Sequence, residues 1–339
     1  GIRSWEDFKP LLLFDHAEFR SLAGAPGVPV NTDINPVLEF DLQERGRNIY
    51  VSRFSASTIP PPERVAVISA VGDLLLSHWT TTPVYDELNL KSPGDPDAVF
   101  RYPFRHVRGE LKGIVIGNLE GPLTKAHARR LNDKEEEFYF SQDPEFVKAL
   151  KDGGFDAVSL ANNHAMDCGR SGLAETIRVL KQHGIHPVGA GADESEARKA
   201  VVVRENGLLV ALLAYNLAGP ASALAGPGKP GTSHGDASGI CSDVHAAKDR
   251  CDAVAVYLHW GKEMNQEARV PPPDEARESL GRAIIDAGAA VVFGSHSHAI
   301  ERVERYRNGL IFYGLGNFVF AGTGKSQHPA SLIARVKVG

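Results

Sequence analysis

The sequence predicts an α/β fold, and three observations lead to this prediction. From Arg64 onward, β-branched apolar runs alternate with amphipathic segments of helical period. Polar side chains that can bind a metal directly follow five of these runs. The chain has 339 residues, 42% of them hydrophobic and 23% charged, which suits a large globular domain with a substantial core.

The composition argues against several classes of protein. The net charge of -5 speaks against nucleic acid as the main partner, because duplex-binding proteins carry a strong basic face. The three cysteines, Cys168, Cys241 and Cys251, include no CxxC pair, so neither a disulfide framework nor a thiolate zinc site is expected. No apolar run approaches the roughly 20 residues that span a bilayer, and the first residues resemble no signal peptide. We therefore expect a soluble, cytoplasmic protein without a membrane segment.

Five strands are predicted, and each of them ends at polar residues. They cover residues 65–71, 113–117, 155–160, 253–258 and 289–293. The polar segments after them lie at 72–73, 118–120, 161–164, 259–261 and 294–298. Open α/β sheets bind their ligands beyond the carboxyl ends of the strands, so these segments are expected to line one crevice.

Two helices between the strands have clear boundaries. The first is expected to be capped by Ser171 and to end at Gly184, with Leu173 on its apolar face. The second follows the prolines at 271–273 and ends at Gly288.

Two regions lack this regular pattern. Residues 1–63 form a predicted N-terminal extension that ends in the proline run 60–62, and residues 64–339 form the predicted catalytic domain. Residues 218–240 are rich in Gly, Pro, Ser and Ala without periodicity, and we expect either a mobile lid loop or a disordered segment there.

The pattern of histidines favours a metal site. If the chain stays extended after its strand, His296 and His298 point to the same side, because residues i and i+2 share a face. His259 follows another strand, Asp73 offers a hard oxygen and Asn163 offers a neutral carbonyl oxygen. Mixed imidazole and oxygen ligands suit zinc, manganese or iron, so one or two divalent ions are the expected cofactors.

Six motifs in order resemble a known family. They are VGD at 71–73, GNLEGPLT at 117–124, ANNHAMDCGRSGL at 161–173, LHWGKE at 258–263, GSHSH at 294–298 and IFYGLGNFVF at 311–320. Together they resemble the bacterial poly-γ-glutamate capsule-biosynthesis proteins (CapA-like), a family related to the calcineurin-like metallophosphoesterases. The resemblance covers roughly residues 64–320. It implies a four-layer αββα sandwich of the metallophosphoesterase type, with the site at the strand ends.

The resemblance also implies roles for individual residues. Asp73 and His298 would hold a first metal, and a second would be held by Asn163, His259 and His296. His164 would protonate the leaving group or stabilise the developing charge. Glu120 or Asn118 would stand in for the bridging aspartate of the metallophosphoesterases, and Glu120 is taken here as a metal ligand.

Three positions depart from the metallophosphoesterase pattern. Leu75 stands where a histidine is usual, and Asn118 where the bridging aspartate is usual. Ala165 replaces the acidic residue after Asn-His, with Asp167 two positions further. One metal, two metals or an altered reaction are all compatible with these changes.

Four further residues are candidates with alternatives. Asp167 either orients His164, in a catalytic pair, or caps a turn. Glu263 is either a substrate-binding residue or a helix cap. Asn317 lines the crevice, or it satisfies backbone groups nearby. Asn118 is a candidate for substrate binding as well as for the bridging position.

The predicted function is a metal-dependent hydrolase that cleaves a phosphoester or a γ-glutamyl-type amide bond. A metal-assisted enzyme that forms an acyl or amide bond is the first alternative. The second is a non-catalytic protein that binds an anionic polymer such as poly-γ-glutamate. The expected partner is thus a small-molecule or anionic polymer substrate. Turnover that is sensitive to chelators would distinguish both enzymes from the binding protein.

Overall fold

The computed structural model describes residues 65–76, 95, 97–126, 139–263, 274–320 and 331–339, together with the backbone of four strands that precede them. The strands are β1 (Leu12–Leu13), β2 (Glu18–Ser21), β3 (Val37–Arg45), β4 (Asn48–Ser57), β5 (Ala66–Leu75), β6 (Ile114–Leu119), β7 (Ala157–Ser159), β8 (His186–Val188), β9 (Ala190–Gly191), β10 (Val201–Glu205), β11 (Leu208–Asn216), β12 (Gly231–Thr232), β13 (Ala253–His259), β14 (Val291–Ser295), β15 (Val303–Tyr306), β16 (Gly309–Phe312), β17 (Asn317–Phe320) and β18 (Ile333–Val338). The α-helices are α1 (Ala98–Arg101), α2 (Val147–Asp152), α3 (Gly169–Gln182), α4 (Glu194–Ala197), α5 (Ala237–Lys248) and α6 (Glu275–Asp286).

These strands form two large sheets and one small one. The first sheet has the order β1-β15-β16-β14-β13-β11-β10. The second has the order β2-β3-β4-β18-β5-β6-β7-β8, with β17 also paired to β5. Strands β11, β13, β14 and β16 run parallel in the first sheet, as do β5 to β8 in the second. The small sheet pairs β9 with β12.

Alternation along the central strands creates three cores, because successive side chains point to opposite faces of a sheet. In β13, Ala255 and Tyr257 belong to the core between the two sheets, whereas Val256 and Leu258 belong to the core on the outer face of the first sheet. Helices α5 and α6 cover that outer face with residues such as Val244.

The second sheet is arranged in the same way. Ile114 and Ile116 of β6 enter the core between the sheets, and Val115 enters the core on the outer face, where α2 and α3 pack with residues such as Leu150 and Leu180. Helices, sheet, sheet and helices therefore form four layers. The predicted αββα sandwich is confirmed, and each of the five predicted strands is present.

Two local predictions differ from the structure. Helix α3 begins at Gly169 after Cys168, so Ser171 lies inside the helix and does not cap it. The stretch 218–240 is not without regular structure. It contains a 3-10 turn (Ala221–Ala223) and strand β12, and α5 begins at Ala237 after the capping side chain of Asp236.

The reason for this second difference is backbone pairing that has no periodic signal in the sequence. The Ser233 amide donates to the Gly189 carbonyl at 2.8 Å, and the Asn216 amide donates to the Ser233 carbonyl at 2.8 Å. These hydrogen bonds hold the segment against Gly189 and against Asn216, the last residue of β11. Its role as a lid stays a prediction.

The strands before residue 65 extend both sheets: β4 pairs with β18, and β1 pairs with β15. The predicted domain boundary between residues 63 and 64 stays a prediction. In the part of the chain that the structure describes, no helix combines the length and the apolar character needed to cross a membrane.

A buried ion pair fixes the segment that follows β14. Arg277 donates to both carboxylate oxygens of Glu301, each at 2.9 Å, and only 2% of the Glu301 side chain is exposed. Arg277→Met would leave this carboxylate buried without its cation, so we expect the free energy of unfolding to fall by about 3–5 kcal/mol. Denaturant unfolding of the unmodified protein and of the variant, both without added metal ions, measures this change.

Arg307→Met is the matched control. Arg307 pairs with Asp286 at 2.7 Å, but 68% of its side chain is exposed. An exposed pair of this kind contributes at most about 1 kcal/mol. Equal losses of stability in the two variants would contradict the structural importance of the Arg277–Glu301 pair.

Candidate metal centre

The candidate site lies where the carboxyl ends of parallel strands from both sheets meet. In the second sheet, the register places Asp73 beside Asn118, and Asn317 beside Asp73. In the first sheet, it places His259 beside Ser295. Strand register alone therefore aligns polar side chains from distant parts of the chain, as expected for a ligand site at strand ends.

One group of side chains, the acidic trio, consists of Asp73, Glu120 and His298. Each offers a ligand atom, and these atoms lie within 4.8 Å of one another. His298 Nδ1 is 3.3 Å from Asp73 Oδ2, and His298 Nε2 is 3.9 Å from Glu120 Oε1. Both carboxylates are fully buried. Bringing two such charges together in the interior is costly unless a cation compensates them.

The electrostatics of the acidic trio show how strongly its two carboxylates favour a positive charge beside them. Burial by itself lowers the pKa of His298, but the charge of Glu120 and the contacts with Asp73 outweigh it and raise the pKa to about 10. In the cation-free protein His298 is therefore protonated at neutral pH. It supplies one positive charge against two carboxylates.

The donor set of the acidic trio fits a divalent cation. His298 Nδ1 has its aligned partner in Asn317 Oδ1 at 2.8 Å, and among the described residues no aligned hydrogen bond reaches Asp73 Oδ2. A buried carboxylate oxygen without a donor is the kind of atom that a cation satisfies. Two carboxylates and one imidazole suit manganese, iron or zinc.

A second group, the neutral trio, consists of Asn163, His259 and His296. His259 Nε2 lies 2.8 Å from Asn163 Oδ1, and the rings of His259 and His296 are 4.6 Å apart between centroids. The Ser295 hydroxyl lies 2.9 Å from His259 Nδ1, which leaves Nε2 for the crevice. Ser295 was not predicted as a site residue, although its place directly before His296 was a signal.

The backbone of the His296–His298 segment differs from the prediction. The sequence suggested an extended chain, but φ is 90° at His296 and 56° at His298, and β14 ends at Ser295. Non-glycine residues with positive φ are strained, and such strain concentrates at functional sites. The two rings still lie 6.4 Å apart, so a turned backbone, not strand alternation, brings them to one crevice.

His164 and Asp167 form a hydrogen-bonded pair next to the acidic trio. His164 Nδ1 lies 2.7 Å from Asp167 Oδ2, which also accepts from the Phe140 amide at 2.7 Å. His164 Nε2 then faces Glu120 Oε1 at 3.9 Å. The Phe140 ring packs on the imidazole with centroids 4.2 Å apart. The geometry thus matches the alternative in which Asp167 orients His164.

Asn118 is engaged with the protein at both ends of its amide. Its Nδ2 donates to Asp73 Oδ1 at 2.8 Å, and its Oδ1 accepts from Asn162 Nδ2 at 3.0 Å. The side chain is fully buried. The amide thus orients Asp73, and its contact with substrate stays a prediction.

Asn162 and Asn216 continue this amide network, and sequence reasoning missed both. Asn162 Oδ1 accepts from the His164 amide at 3.0 Å, and Asn216 Nδ2 donates to the Asn162 carbonyl at 2.9 Å. The only signal for Asn162 was its place within the ANNH motif. Asn216 had the signal of ending a buried strand, which was overlooked.

The remaining candidates occupy different surroundings. Asn317 lies within the cluster and accepts from His298 through its Oδ1, so it contacts a candidate metal ligand. Glu263 is exposed, and within the described part of the chain no hydrogen bond or ion pair joins it to either trio. The structure therefore gathers ten of the eleven predicted site residues and leaves Glu263 apart.

An αββα sandwich with carboxylate, amide and imidazole side chains at its strand ends defines an α/β protein with a candidate metal site. The chain belongs to the family of the bacterial capsule synthesis protein PGA_cap, whose family model matches residues 67–322. The resemblance seen in the sequence motifs is thereby confirmed.

Curated relatives are consistent with this family. The capsule biosynthesis protein CapA of Bacillus anthracis is 35% identical over 65% of this chain and 54% of its own length. The PGA biosynthesis protein CapA of Bacillus subtilis is 32% identical over 74% of this chain and 62% of its own length. The chain thus spans between half and two thirds of the length of these relatives.

Two solved structures are more distantly similar. The NAD nucleotidase NadN of Haemophilus influenzae matches 75% of this chain and 51% of its own, with 13% identity and a TM-score of 0.44. The 5'-nucleotidase precursor of Thermus thermophilus matches 81% of this chain and 54% of its own, with 14% identity and a TM-score of 0.42.

Proposed function

We propose that this chain is a metal-dependent hydrolase that cleaves a phosphoester or a γ-glutamyl-type amide bond. The observation that carries the proposal is the position of His164. Its Nδ1 is held by Asp167 at 2.7 Å, and its Nε2 faces Glu120, a member of the acidic trio, at 3.9 Å. An imidazole beside a cluster suited to a divalent cation is what assisted hydrolysis requires.

Different residues have different roles in the proposed hydrolysis. The acidic trio holds one divalent cation, and the neutral trio is the place for another. A cation there supplies Lewis-acid activation of water and of the scissile group. Asp167 accepts from Nδ1–H and orients His164, and the doubly protonated ring would donate its Nε2 proton to the leaving alkoxide or amine and return to the neutral form.

Side chains around the pair support this division. Phe140 covers one face of the His164 imidazole, so the ring is held in place and partly shielded from water. Asn118 holds Asp73 at 2.8 Å, and Asn317 holds His298 at 2.8 Å. Ligands whose orientation is set by neighbours bind a metal more strongly.

The family supports one of the two substrate classes. The names of the relatives refer to capsule and PGA biosynthesis, which favours a polymer with amide bonds and negative charge as the substrate. A phosphoester remains the second substrate class to be tested. The expected cytoplasmic location stays a prediction.

Metal removal tests the proposal. We expect the purified protein to contain one or two equivalents of zinc, manganese or iron by elemental mass spectrometry. A chelator should abolish hydrolysis of γ-glutamyl amides and of aryl phosphates, and adding the ion back should restore it. His298→Ala should lose the resident ion, because it removes one of three ligands of the acidic trio.

His245→Ala serves as the control, because His245 is exposed in the last turn of α5 and is not one of the predicted site residues. It should keep both metal and turnover. Absence of metal in every sample, even after incubation with each ion, would contradict the proposal. In that event, chelator-insensitive affinity for poly-γ-glutamate would identify a binding protein instead.

A further inference from the structure

We propose that strand β10 is an interface for a second copy of this chain. Two β10 strands pair antiparallel about a two-fold axis at Val202, and the first sheets of the two copies join into one continuous sheet. Strand β10 (Val201–Glu205) ends the first sheet, and within the described part of the chain it pairs with β11 alone. This inference goes beyond the proposed function and does not depend on it.

The edge of β10 lacks two features that keep strand edges from pairing. Natural proteins often block such edges with proline or with a bulge. Residues 201–205 read Val-Val-Val-Arg-Glu, and they pair with β11 without a shift in register. Val202 is 47% exposed, and it is the one exposed large apolar side chain among the described residues. A regular edge with an exposed apolar side chain favours the addition of another strand.

The hairpin turn decides which backbone groups of β10 are available. Asn206 and Gly207 have positive φ values of 50° and 83°, so a two-residue turn joins Glu205 to Leu208. The Leu208 amide donates to the Glu205 carbonyl across such a turn, and hydrogen-bonded pairs alternate with other pairs from there along the ladder. Val202, three residues before Glu205, therefore turns its N–H and C=O groups away from β11 and toward the edge.

Charge favours one register for the two strands. With Val202 opposite its copy, the two residues exchange both backbone hydrogen bonds. The same register places Lys199 of each copy opposite Glu205 of the other, and the two-fold axis forms this pair twice. Lys199 is exposed, and within the described residues neither side chain has an ion pair. Opposite charges across two strands stabilise their pairing.

Neighbouring registers are less favourable. An axis at Arg204 would place two arginines opposite each other, which destabilises a strand pair. An axis at Val203 would place Glu205 opposite the apolar Val201. The axis at Val202 instead sets the two exposed apolar side chains beside each other and removes them from water.

The outer face beside β10 has room for a second copy. In the proposed register, Arg204 of the second copy lies opposite Ala200. Ala200 lines an open cavity of about 800 Å³, together with Leu213 of β11. The lining has acidic as well as basic side chains, with Asp193 among the acidic ones. The arginine of the second copy therefore meets an open cavity that contains carboxylates.

Sedimentation velocity of the full chain tests the interface. An interface built on one short strand is small, so we expect a dimer with a micromolar dissociation constant that is largely formed at about 1 mM. Val202→Lys places two like charges at the axis and should raise this constant by about tenfold or more. Ala174→Lys is the matched control, because it adds the same charge at an exposed position of α3. It should leave the constant unchanged.

Charge reversal tests the register. Lys199→Glu or Glu205→Lys alone places like charges opposite each other twice and should raise the dissociation constant by about tenfold. The two substitutions together restore opposite charges and should return the constant to within about threefold of its original value. A double variant that dimerises as weakly as either single variant would overturn the register.

Disulfide cross-linking gives a second measurement that does not depend on the charged variants. Val202→Cys should form a covalent dimer under mild oxidation, because paired residues of two strands have Cα atoms about 5.5 Å apart, within the reach of a disulfide. Arg204→Cys should not, because its two copies are displaced by about 13 Å along the strands in this register. The unmodified protein, with Cys168, Cys241 and Cys251, gives the background.

Three outcomes would overturn the proposal. They are a monomer at every concentration, a dimer that Val202→Lys leaves intact, and cross-linking of Arg204→Cys in place of Val202→Cys. None of them bears on metal-dependent hydrolysis, which its own metal and turnover measurements test.

Discussion

Replacing His164 by glutamine is expected to lower turnover by about 10²- to 10⁴-fold while the resident cation stays bound. The imidazole is the group placed to hand a proton to the leaving atom, and glutamine cannot carry one. Glutamine is close in length and keeps a hydrogen-bonding end near Asp167, so the fold and the acidic trio should be preserved. Turnover and elemental analysis on the same preparation measure both effects.

His186→Gln is the control for this substitution, because His186 is exposed at the amino end of β8, whereas the site lies at the carboxyl ends of the strands. Its turnover should remain that of the unmodified protein. Unchanged turnover in His164→Gln would remove His164 from the chemistry. Loss of the cation in the same variant would make it a ligand and contradict its role as proton donor.

Asp167→Asn separates orientation from proton transfer. It keeps the size of the side chain but replaces the carboxylate, whose Oδ2 lies 2.7 Å from His164 Nδ1, by a neutral amide. We expect a loss of turnover that is smaller than in His164→Gln, because the orientation of the imidazole is no longer held but its proton is kept. Unchanged turnover would limit Asp167 to a structural role.

Asp73→Asn is expected to abolish binding of the resident cation and, with it, measurable turnover. Asp73 supplies one of the two charges that make the acidic trio attractive to a divalent ion, and in the described part of the chain no aligned donor reaches its Oδ2. Asparagine has the same shape, so the protein should still fold.

Thermal unfolding with and without Mn²⁺ measures this effect. A ligand present at 100 times its dissociation constant stabilises a protein by about 2.7 kcal/mol, so the unmodified protein should gain thermal stability on adding the ion. Asp73→Asn should gain none. Asp249→Asn, which changes an exposed carboxylate at the end of α5, should gain as much as the unmodified protein. A full gain in Asp73→Asn would mean that the acidic trio does not hold the resident ion.

Much of the fold could be predicted from the sequence because it depends on local patterns. The buried run of β13 and its alternation are visible in residues 253–258, and the structure has a strand from Ala253 to His259. The helix after residue 273 ends where Gly288 with φ 112° follows, as its sequence signal indicated. The Gly-rich segment 218–240 is different, because it has no periodic pattern. It is held by backbone hydrogen bonds to Gly189 and Asn216, which are remote from much of the segment in sequence.

The membership of the candidate site could also be predicted, because polar residues that follow buried strands meet at one edge of a sheet. Leu75 occupies the position at which the metallophosphoesterase pattern has a histidine. It is a buried apolar residue at the end of β5, so it does not replace that histidine as a ligand. The roles of Ser295, Asn162 and Asn216 were missed because they depend on the group that each residue contacts. The spacing of residues along the chain does not reveal such contacts.

The sequence by itself determined the class of fold, the family and the set of residues at the strand ends, since composition, periodicity and ordered motifs are properties of the chain. Only the tertiary structure decided how these residues divide into an acidic and a neutral trio, that Asn118 is turned toward Asp73, and that Glu263 stands apart. The physical reason is that charge balance and hydrogen bonding depend on distances of a few ångströms between side chains far apart in sequence. Those distances are set by the register of two sheets and by the turned backbone at His296 and His298.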